Sequence, residues 1–416
     1  MQDLFDPTRH EPLDAPAWTD AAAHQAIDRI CASAETAFDE REGAWLLHPQ
    51  DEPPRPGHRS HNVYWGAAGV LLALRHLASQ GAVALRRDYT PWIERLPERV
   101  AADVAGEQHG SASYLFGESG ALLLAFLATR RAAFADRLYA VVQGNLHNTA
   151  NEPLWGNAGT VLAAIHMAEA DAGPRWAELV QQAVQALLDD MIVDPETGTW
   201  NWQQALYGKP TRYLGAGHGF AGNVYPALRA AALLNADTVR TFEQRALDTL
   251  SATTLHRLLD APGGPVELIN WHVVTDADRL AAWIAKGGRP LVQDCHGAPG
   301  IVCRLAGAPR TPEWDRMLLG AGELIWHAGP LAKGPSLCHG TAGNAMACLK
   351  LWRRFGDTRW LDRARQLALH AAGQVESARA GHGQGRHSLW TGDLGVACVL
   401  WNCLRGDDRF PTLDYC

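Results

Sequence analysis

The sequence lacks any long apolar run. Its densest apolar stretch, residues 121–128, is far shorter than the roughly 18–20 residues that a helix needs to cross a bilayer. The first sixteen residues are acidic and contain prolines, without the apolar core of a secretory signal. We therefore expect a cytoplasmic protein with no membrane partner.

Positive charge, dense cysteine spacing and β-branched runs are also scarce. The formal net charge is −8, which argues against nucleic acid as the main partner because phosphate binding needs concentrated Lys and Arg. The eight cysteines do not form the dense framework of small secreted domains, so we expect reduced thiols. Without β-branched runs or a strand–helix alternation, no parallel sheet is predicted.

What the sequence does have is a short repeated motif. A glycine, two further residues and a second glycine lead directly into an apolar segment in seven places. The first glycines of these copies are residues 66, 117, 156, 219, 297, 340 and 392, at spacings typical of repeat architectures. An amphipathic stretch at 21–38 precedes the first copy, and six more lie between copies, at 87–104, 131–142, 176–191, 237–258, 312–327 and 358–375.

This alternation predicts an all-α fold. Helices that are apolar on every side must be buried, whereas amphipathic helices cover an outside surface. Seven buried helices in a ring, each backed by an amphipathic helix, form an α/α toroid. We expect one domain over residues 1–416, with an irregular arm at 1–16 and a proline-rich loop at 51–59. All seven motifs would then lie at one end of the ring.

Two thiols recur at the same position of consecutive copies. Cys295 and Cys338 each stand two residues before the first glycine, and His218, His296 and His339 each stand one residue before it. Equivalent positions of consecutive repeats are neighbours in a toroid, so the two thiols should lie close together. Zinc takes Cys and His in tetrahedral sites and keeps one position open when it is catalytic. The pattern predicts a catalytic zinc with two Cys and one His. A free Cys is more often a packed core residue, but the coincidence of two favours the metal.

Other polar residues near the motifs have two interpretations each. Glu152 stands four residues before Gly156 and either faces the cavity or is an exposed loop carboxylate. Lys333 and Arg386 either act on a nearby thiol or are solvated loop residues. Trp65 and Trp155 either line the cavity or pack in the core.

The three central copies resemble the signature motifs of a known family. Gly-Ala-Gly-His-Gly-Phe-Ala-Gly at 215–222, Cys-His-Gly-Ala-Pro-Gly at 295–300 and Cys-His-Gly-Thr-Ala-Gly-Asn-Ala at 338–345 are similar to those of lanthionine synthetase C-like proteins. The resemblance extends over essentially the whole chain. It implies a toroid of seven inner and seven outer helices, zinc bound by Cys295, Cys338 and His339, and His218 as an acid or base.

The resemblance also implies a reaction. Bacterial members add a cysteine thiol to dehydroalanine or dehydrobutyrine within a peptide, and eukaryotic-type members add glutathione to dehydroamino acids in proteins. This chain resembles the second group more closely, because Lys333 precedes a Cys-His-Gly, as a lysine does there, and Cys-His-Gly-Ala-Pro-Gly is the form of that group. It departs from the peptide cyclases at His296, which replaces their aromatic residue. A thiolate would attack the β-carbon, and His218 would protonate the resulting enolate.

Three further residues take supporting roles in this implied mechanism. Glu152 would orient or assist His218, Lys333 would stabilise negative charge, and Arg386 is included among the catalytic candidates. Two alternatives remain: a non-catalytic scaffold that binds zinc or glutathione, and a glycan-processing toroid, which would need paired carboxylates. The expected partners are peptides or proteins that contain dehydroamino acids, with glutathione as a possible thiol donor.

Overall fold

The computed structural model describes residues 3–51, 57–106, 110–170, 173–204, 206, 208–260 and 264–416. Most of the predicted proline-rich loop, residues 52–56, lies outside these ranges. Within them, the chain forms sixteen α-helices and three two-stranded antiparallel sheets. No helix in this part of the chain has the length and apolar character needed to span a bilayer.

Seven helices form an inner ring, and each begins at the residue directly after the first glycine of a motif. They are α2 (Ala67–Ser79), α5 (Glu118–Thr129), α7 (Asn157–Ala170), α9 (Phe220–Arg229), α12 (Ala298–Leu305), α14 (Thr341–Phe355) and α16 (Asp393–Arg405). Each packs against the next, and α16 packs against α2, so the ring is closed. The predicted all-α toroid is confirmed.

The amphipathic stretches form the outer helices. These are α1 (Asp20–Thr36), α3 (Thr90–Ile93) with α4 (Leu96–Asp103), α6 (Ala132–Gly144), α8 (Pro174–Asp189), α10 (Ala236–Ala252), α13 (Pro312–Ala328) and α15 (Thr358–His382). The predicted helix at 87–104 is instead two short ones. Pro97 lies in the first turn of α4, where its missing N–H and its ring prevent continuation from α3.

A second difference concerns the stretch at 237–258, where the helical prediction was wrong for its last six residues, 253–258. Helix α10 ends at Ala252, and Thr254–Leu259 forms strand β3, which pairs antiparallel with β4 (Val266–Trp271). The Trp271 indole N–H donates to the Leu250 carbonyl at 3.0 Å, which satisfies one of the free carbonyls at the end of α10. A short helix, α11 (Ala277–Ala285), follows this hairpin before the inner ring resumes.

The second glycine of each motif fixes how neighbouring copies approach. In all seven copies, a Cβ at this glycine would lie 1.8–2.4 Å from the carbonyl oxygen six residues earlier. The same Cβ would also meet a side chain of the preceding copy, and Gly69 of the first copy meets Leu389 of the last at 3.0 Å. No other residue type fits there, because the loop folds back over the helix start.

Two smaller sheets and an arm complete the described part of the chain. Strand β1 (Ile192–Val193) pairs with β2 (Trp200–Asn201), and β5 (Val292–Gln293) pairs with β6 (His296–Gly297), both antiparallel. Residues 3–19 contain a single 3-10 turn, Pro7–Arg9, and no α-helix. This arm pairs with the loop before Lys333, since the Ala332 N–H donates to the Arg9 carbonyl at 3.0 Å. The single-domain assignment stays a prediction.

Candidate functional site

The position that carries the two cysteines forms a ring around one cavity. In every copy, the residue two before the first glycine lines this cavity. We call these residues the central ring; they are Tyr64, Leu115, Leu154, Gly217, Cys295, Cys338 and Trp390. Five backbone hydrogen bonds of 3.0–3.1 Å join six of these seven residues, and in each the N–H of one member donates to the carbonyl of a neighbouring member. The backbone therefore sets where each side chain enters the cavity.

Cys295, Cys338 and His339 form a compact cluster on this ring. Their ligand atoms all lie within 4.8 Å of one another. Cys295 occupies the two-residue tip of the β5–β6 hairpin, and its N–H donates to the Cys338 carbonyl at 3.0 Å. The repeat thus places the two thiols side by side, and His339 follows directly in the chain.

The protonation preferences of Cys295 and His339 suit a metal, whereas the hydrogen bond with Cys295 and burial raise the pKa of Cys338. A hydrogen bond with Cys338 lowers the pKa of Cys295 even though burial opposes the charge, and the Gln293 amide donates to its Sγ at 2.9 Å. Burial lowers the pKa of His339 to about 3, so its imidazole is neutral near pH 7. A thiolate and a neutral imidazole are the donor forms that zinc binds, and three protein ligands leave a fourth position for another group.

His218, which lines the cavity, forms a polar pair with Glu152, which is not among the described lining residues. Nδ1 of His218 lies 3.1 Å from Oε2 of Glu152, and the Trp155 N–H donates to the other carboxylate oxygen. Glu152 is fully buried, so its interpretation as an exposed loop carboxylate is wrong. The pair fixes the orientation of the imidazole and the tautomer of its neutral form.

The electrostatics of this pair favour a protonated imidazole. Burial raises the pKa of Glu152, although its hydrogen bond with His218 opposes this. Burial alone would lower the pKa of His218, but the hydrogen bond and charge of Glu152 outweigh it, with a further contribution from Cys295, and the pKa is raised. His218 itself lines the cavity. It is therefore placed to hold a proton next to the cysteine cluster.

The remaining candidates divide into two groups. Lys333 lines the cavity, and its positive charge helps to lower the pKa of His339. Arg386 is not among the described residues that line the cavity, and its Nε donates to Oδ1 of Asp51 at 2.9 Å. Arg386 nevertheless lies close enough for its charge to lower the pKa of His339.

The two tryptophans also stand back from the cavity. Trp65 and Trp155 pack on either side of Phe116, with ring centroids 5.1 and 4.7 Å from it. None of these three is among the described cavity-lining residues. They occupy the position one residue before the first glycine, where only His218 and His339 reach the cavity.

His296 shares that position and lies behind His218. The two imidazole centroids are 5.5 Å apart in a stacked arrangement, and burial lowers the pKa of His296 to about 3. His296 is not among the described residues that line the cavity. The position of His296 explains why residue 215 is a glycine, since a Cβ at Gly215 would come within 2.4 Å of the His296 ring.

The structure also reveals cavity residues that the sequence analysis missed. Tyr64 and Trp390 share the position of the cysteines, and this shared position is the signal that would have found them. Gln293 also lines the cavity, but it does not share this position, so the repeat gave no reason to expect it there. Asp294, which directly precedes Cys295 in the chain, forms a buried ion pair with Arg304 through two hydrogen bonds of 3.0 and 2.8 Å.

The fold and the site together define a class of protein, an α/α toroid of seven repeats with a candidate metal centre at one end. The lanthionine synthetase C-like protein family model matches residues 57–415, and the chain belongs to this family. The family assignment made from the three central motifs is therefore confirmed.

Relatives and a solved structure agree with this assignment. The chain is 25% identical over 328 residues to glutathione S-transferase LANCL1 from Danio rerio, which is 73% of each protein. It is 28% identical over 209 residues to LanC-like protein GCL1 from Arabidopsis thaliana, which is 48% of this chain and 43% of that protein. Nisin cyclase shares the fold, with a TM-score of 0.58 at 15% identity over 91% of this chain and 94% of that one.

Proposed function

We propose that this protein adds a thiol to dehydroalanine or dehydrobutyrine in a peptide or protein, with zinc held by Cys295, Cys338 and His339. The observation that carries the proposal is that this cluster and His218, which Glu152 holds through Nδ1, line one cavity. Zinc at the cluster would deprotonate a coordinated thiol and so supply a nucleophile at neutral pH.

The residues of the chain account for the rest of the reaction. A sulfur–carbon bond forms at the β-carbon of the alkene, and the π electrons move to an enolate. The α-carbon then takes a proton from His218, whose pKa is raised by the hydrogen bond and charge of Glu152 against the effect of burial. Glu152 acts through His218 by holding Nδ1. Lys333 lines the cavity and would stabilise the negative charge that develops, whereas the other lining cation, Arg304, is paired with Asp294.

Glutathione is the thiol donor that we favour. One relative is named a glutathione S-transferase, and it matches 73% of this chain. The nisin cyclase fold supports a peptide as the partner that carries the alkene. The protein would act in the cytoplasm, where glutathione is abundant and thiols stay reduced. A catalytic role for Arg386 stays a prediction.

The glycan-processing alternative finds less support in the cavity. Such enzymes need two carboxylates at the reacting bond. Among the described lining residues the only carboxylate is Asp294, and Arg304 neutralises it through two hydrogen bonds. The non-catalytic scaffold differs from the enzyme by turnover alone, so an experiment must separate them.

The test combines metal analysis with an addition assay. Protein purified without chelators is expected to contain one zinc per chain, and to convert a dehydroalanine peptide and glutathione to an adduct that mass spectrometry follows over time. Absence of zinc would reject the metal centre. Zinc with no rate above the uncatalysed background, for either dehydroalanine or dehydrobutyrine, would favour the scaffold.

A further inference from the structure

The segment that follows α16 enters the middle of the ring. We call residues 407–416 the floor segment. Every one of the seven copies contacts it, through an aromatic stack, hydrogen bonds or a cation over a ring. The contacting residues, in chain order, are His76, Tyr114, His166, Tyr225, Arg304, Lys350 and Asn402. Several of these lie late in their inner helices, so the segment sits deeper in the ring than the central ring residues.

The conformation of the floor segment is strongly determined. Thr412 has φ = 67°, a left-handed conformation that is strained for a β-branched residue. Two hydrogen bonds hold it there, because its buried carbonyl accepts from the Tyr114 hydroxyl at 2.7 Å and from Nε2 of His166 at 3.1 Å.

Asp414 anchors the other side of the same turn. Its carboxylate accepts from Nζ of Lys350 at 2.8 Å and from the Phe410 N–H at 2.6 Å. Burial would raise the pKa of Asp414, but Lys350 and these hydrogen bonds lower it, so the carboxylate stays charged. The turn between Thr412 and Asp414 is therefore fixed at both ends.

Leu413 lies at this fixed point and lines the catalytic cavity. Asp408 and Asp414 of the floor segment line a second cavity, which shares Tyr225 and Arg304 with the first. The floor segment therefore forms part of the wall of both cavities.

The cavity has a polar side and an apolar side. The cysteine cluster, His218 and Lys333 form the polar side, and the apolar lining comes from Leu115, Leu162 and Leu413 with their neighbours. In the proposed reaction the sulfur and the proton both arrive from polar groups. The remaining substituent of the β-carbon is hydrogen in dehydroalanine and methyl in dehydrobutyrine, and an apolar wall suits it.

We infer that Leu413 is a specificity-determining residue that sets how well the site accepts the β-methyl group of dehydrobutyrine relative to dehydroalanine. The inference rests on the proposed function. The cavity is small, about 190 Å³, so one methyl group matters. One methyl group in an apolar pocket typically changes kcat/KM by about 10–200-fold.

The experiment compares two acceptor peptides of identical sequence, one with dehydroalanine and one with dehydrobutyrine, with glutathione as the donor. Leu413→Phe narrows the floor and is expected to lower the dehydrobutyrine-to-dehydroalanine ratio of kcat/KM by about tenfold or more. Leu413→Ala deepens the floor and is expected to raise that ratio. Leu250→Ala, at a buried leucine of the outer helix α10, is the matched control.

A loss of folded protein lowers both rates together and leaves their ratio unchanged, so the ratio reports the cavity and not stability. Turnover of both acceptors with the wild-type ratio in both Leu413 variants would overturn the inference alone. A ratio that changes equally in Leu250→Ala would also overturn it. No addition by the wild type to either acceptor would overturn the proposed function, and the inference with it.

Discussion

The His218–Glu152 pair allows a prediction that separates a catalytic residue from one that acts through it. His218→Ala removes the proton donor and is expected to slow thiol addition by ~10²–10⁴-fold, the usual contribution of a positioned acid or base. It should retain zinc, because His218 lies outside the Cys295, Cys338 and His339 cluster.

Glu152→Gln keeps the shape and an acceptor oxygen but removes the charge that holds Nδ1 at 3.1 Å. A hydrogen bond to a charged group contributes about 1.5–3 kcal/mol. At 1.36 kcal/mol for each factor of ten in rate, Glu152→Gln alone should slow addition by about 10–150-fold. If Glu152 acts only through His218, the double variant should be no slower than His218→Ala, because the two losses are not additive.

The pH profile of the rate tests the direction in which Glu152 shifts the pKa of His218. The protonated form of His218 is the donor, so activity falls as pH rises through its pKa. Burial lowers that pKa and Glu152 raises it beyond this loss. Glu152→Gln should therefore move the basic limb of the kcat profile to lower pH.

The measurement is the adduct rate between about pH 6 and 9 for the wild type, both single variants and the double variant, with zinc content determined for each. Additive losses would mean that Glu152 has a role independent of His218. A basic limb that does not move in Glu152→Gln would contradict the electrostatic argument. Loss of zinc in His218→Ala would make His218 a ligand, and the assignment of proton donor would be wrong.

Three further predictions concern the cluster, the ion pair and the motif. Cys295→Ala should lose zinc while Cys303→Ala retains it, because Cys303 lies in an inner helix outside the cluster. Asp294→Asn leaves the buried Arg304 charge unpaired and should cost about 3–5 kcal/mol in the free energy of unfolding, whereas a Leu–Met double replacement of the pair should recover most of it. Gly300→Ala should destabilise by about 3 kcal/mol or more, since its Cβ would lie 1.8 Å from the Asp294 carbonyl oxygen.

Each of these predictions has a control or a result that would contradict it. Equal zinc loss in the Cys295 and Cys303 variants, by elemental analysis, would mean that the repeat position chose the wrong thiols. A double replacement as unstable as Asp294→Asn, in denaturant unfolding, would contradict the unpaired-charge explanation. Gly307→Ala, where no atom lies within 4 Å of the added Cβ, should differ little from the wild type, and an equal effect would remove the steric argument for Gly300.

The sequence predicted the parts of the fold that depend on a short repeat. The glycine motif marks the start of every inner helix, because the loop that folds back over each start tolerates only glycine. The same register brought Cys295 and Cys338 together at neighbouring places of the ring. The family motifs then added His339 and His218, which the repeat alone left undistinguished from His296.

What the sequence did not predict depends on contacts between distant residues. The floor segment has no periodicity, and its place is set by partners such as Tyr114, about 300 positions earlier in the chain. Leu413 therefore gave no signal. The ion pair of Asp294 with Arg304 was hidden because both residues lie near an apolar segment whose burial could not be read residue by residue. Strand β3 was misread because Thr254–Leu259 continues an amphipathic stretch after the helix has ended.

The central ring has a consequence for how such a site can change. Backbone hydrogen bonds, and not side chains, link most of its members, so the positions of the ring are equivalent in structure and can carry different side chains. Tyr64 and Trp390 occupy adjoining ring positions that are joined in the same way as those of Cys295 and Cys338, since the Trp390 N–H donates to the Tyr64 carbonyl at 3.1 Å. Two cysteines at those positions would therefore lie side by side, as Cys295 and Cys338 do. The pair of thiols can thus be placed elsewhere around the ring without a change in any helix.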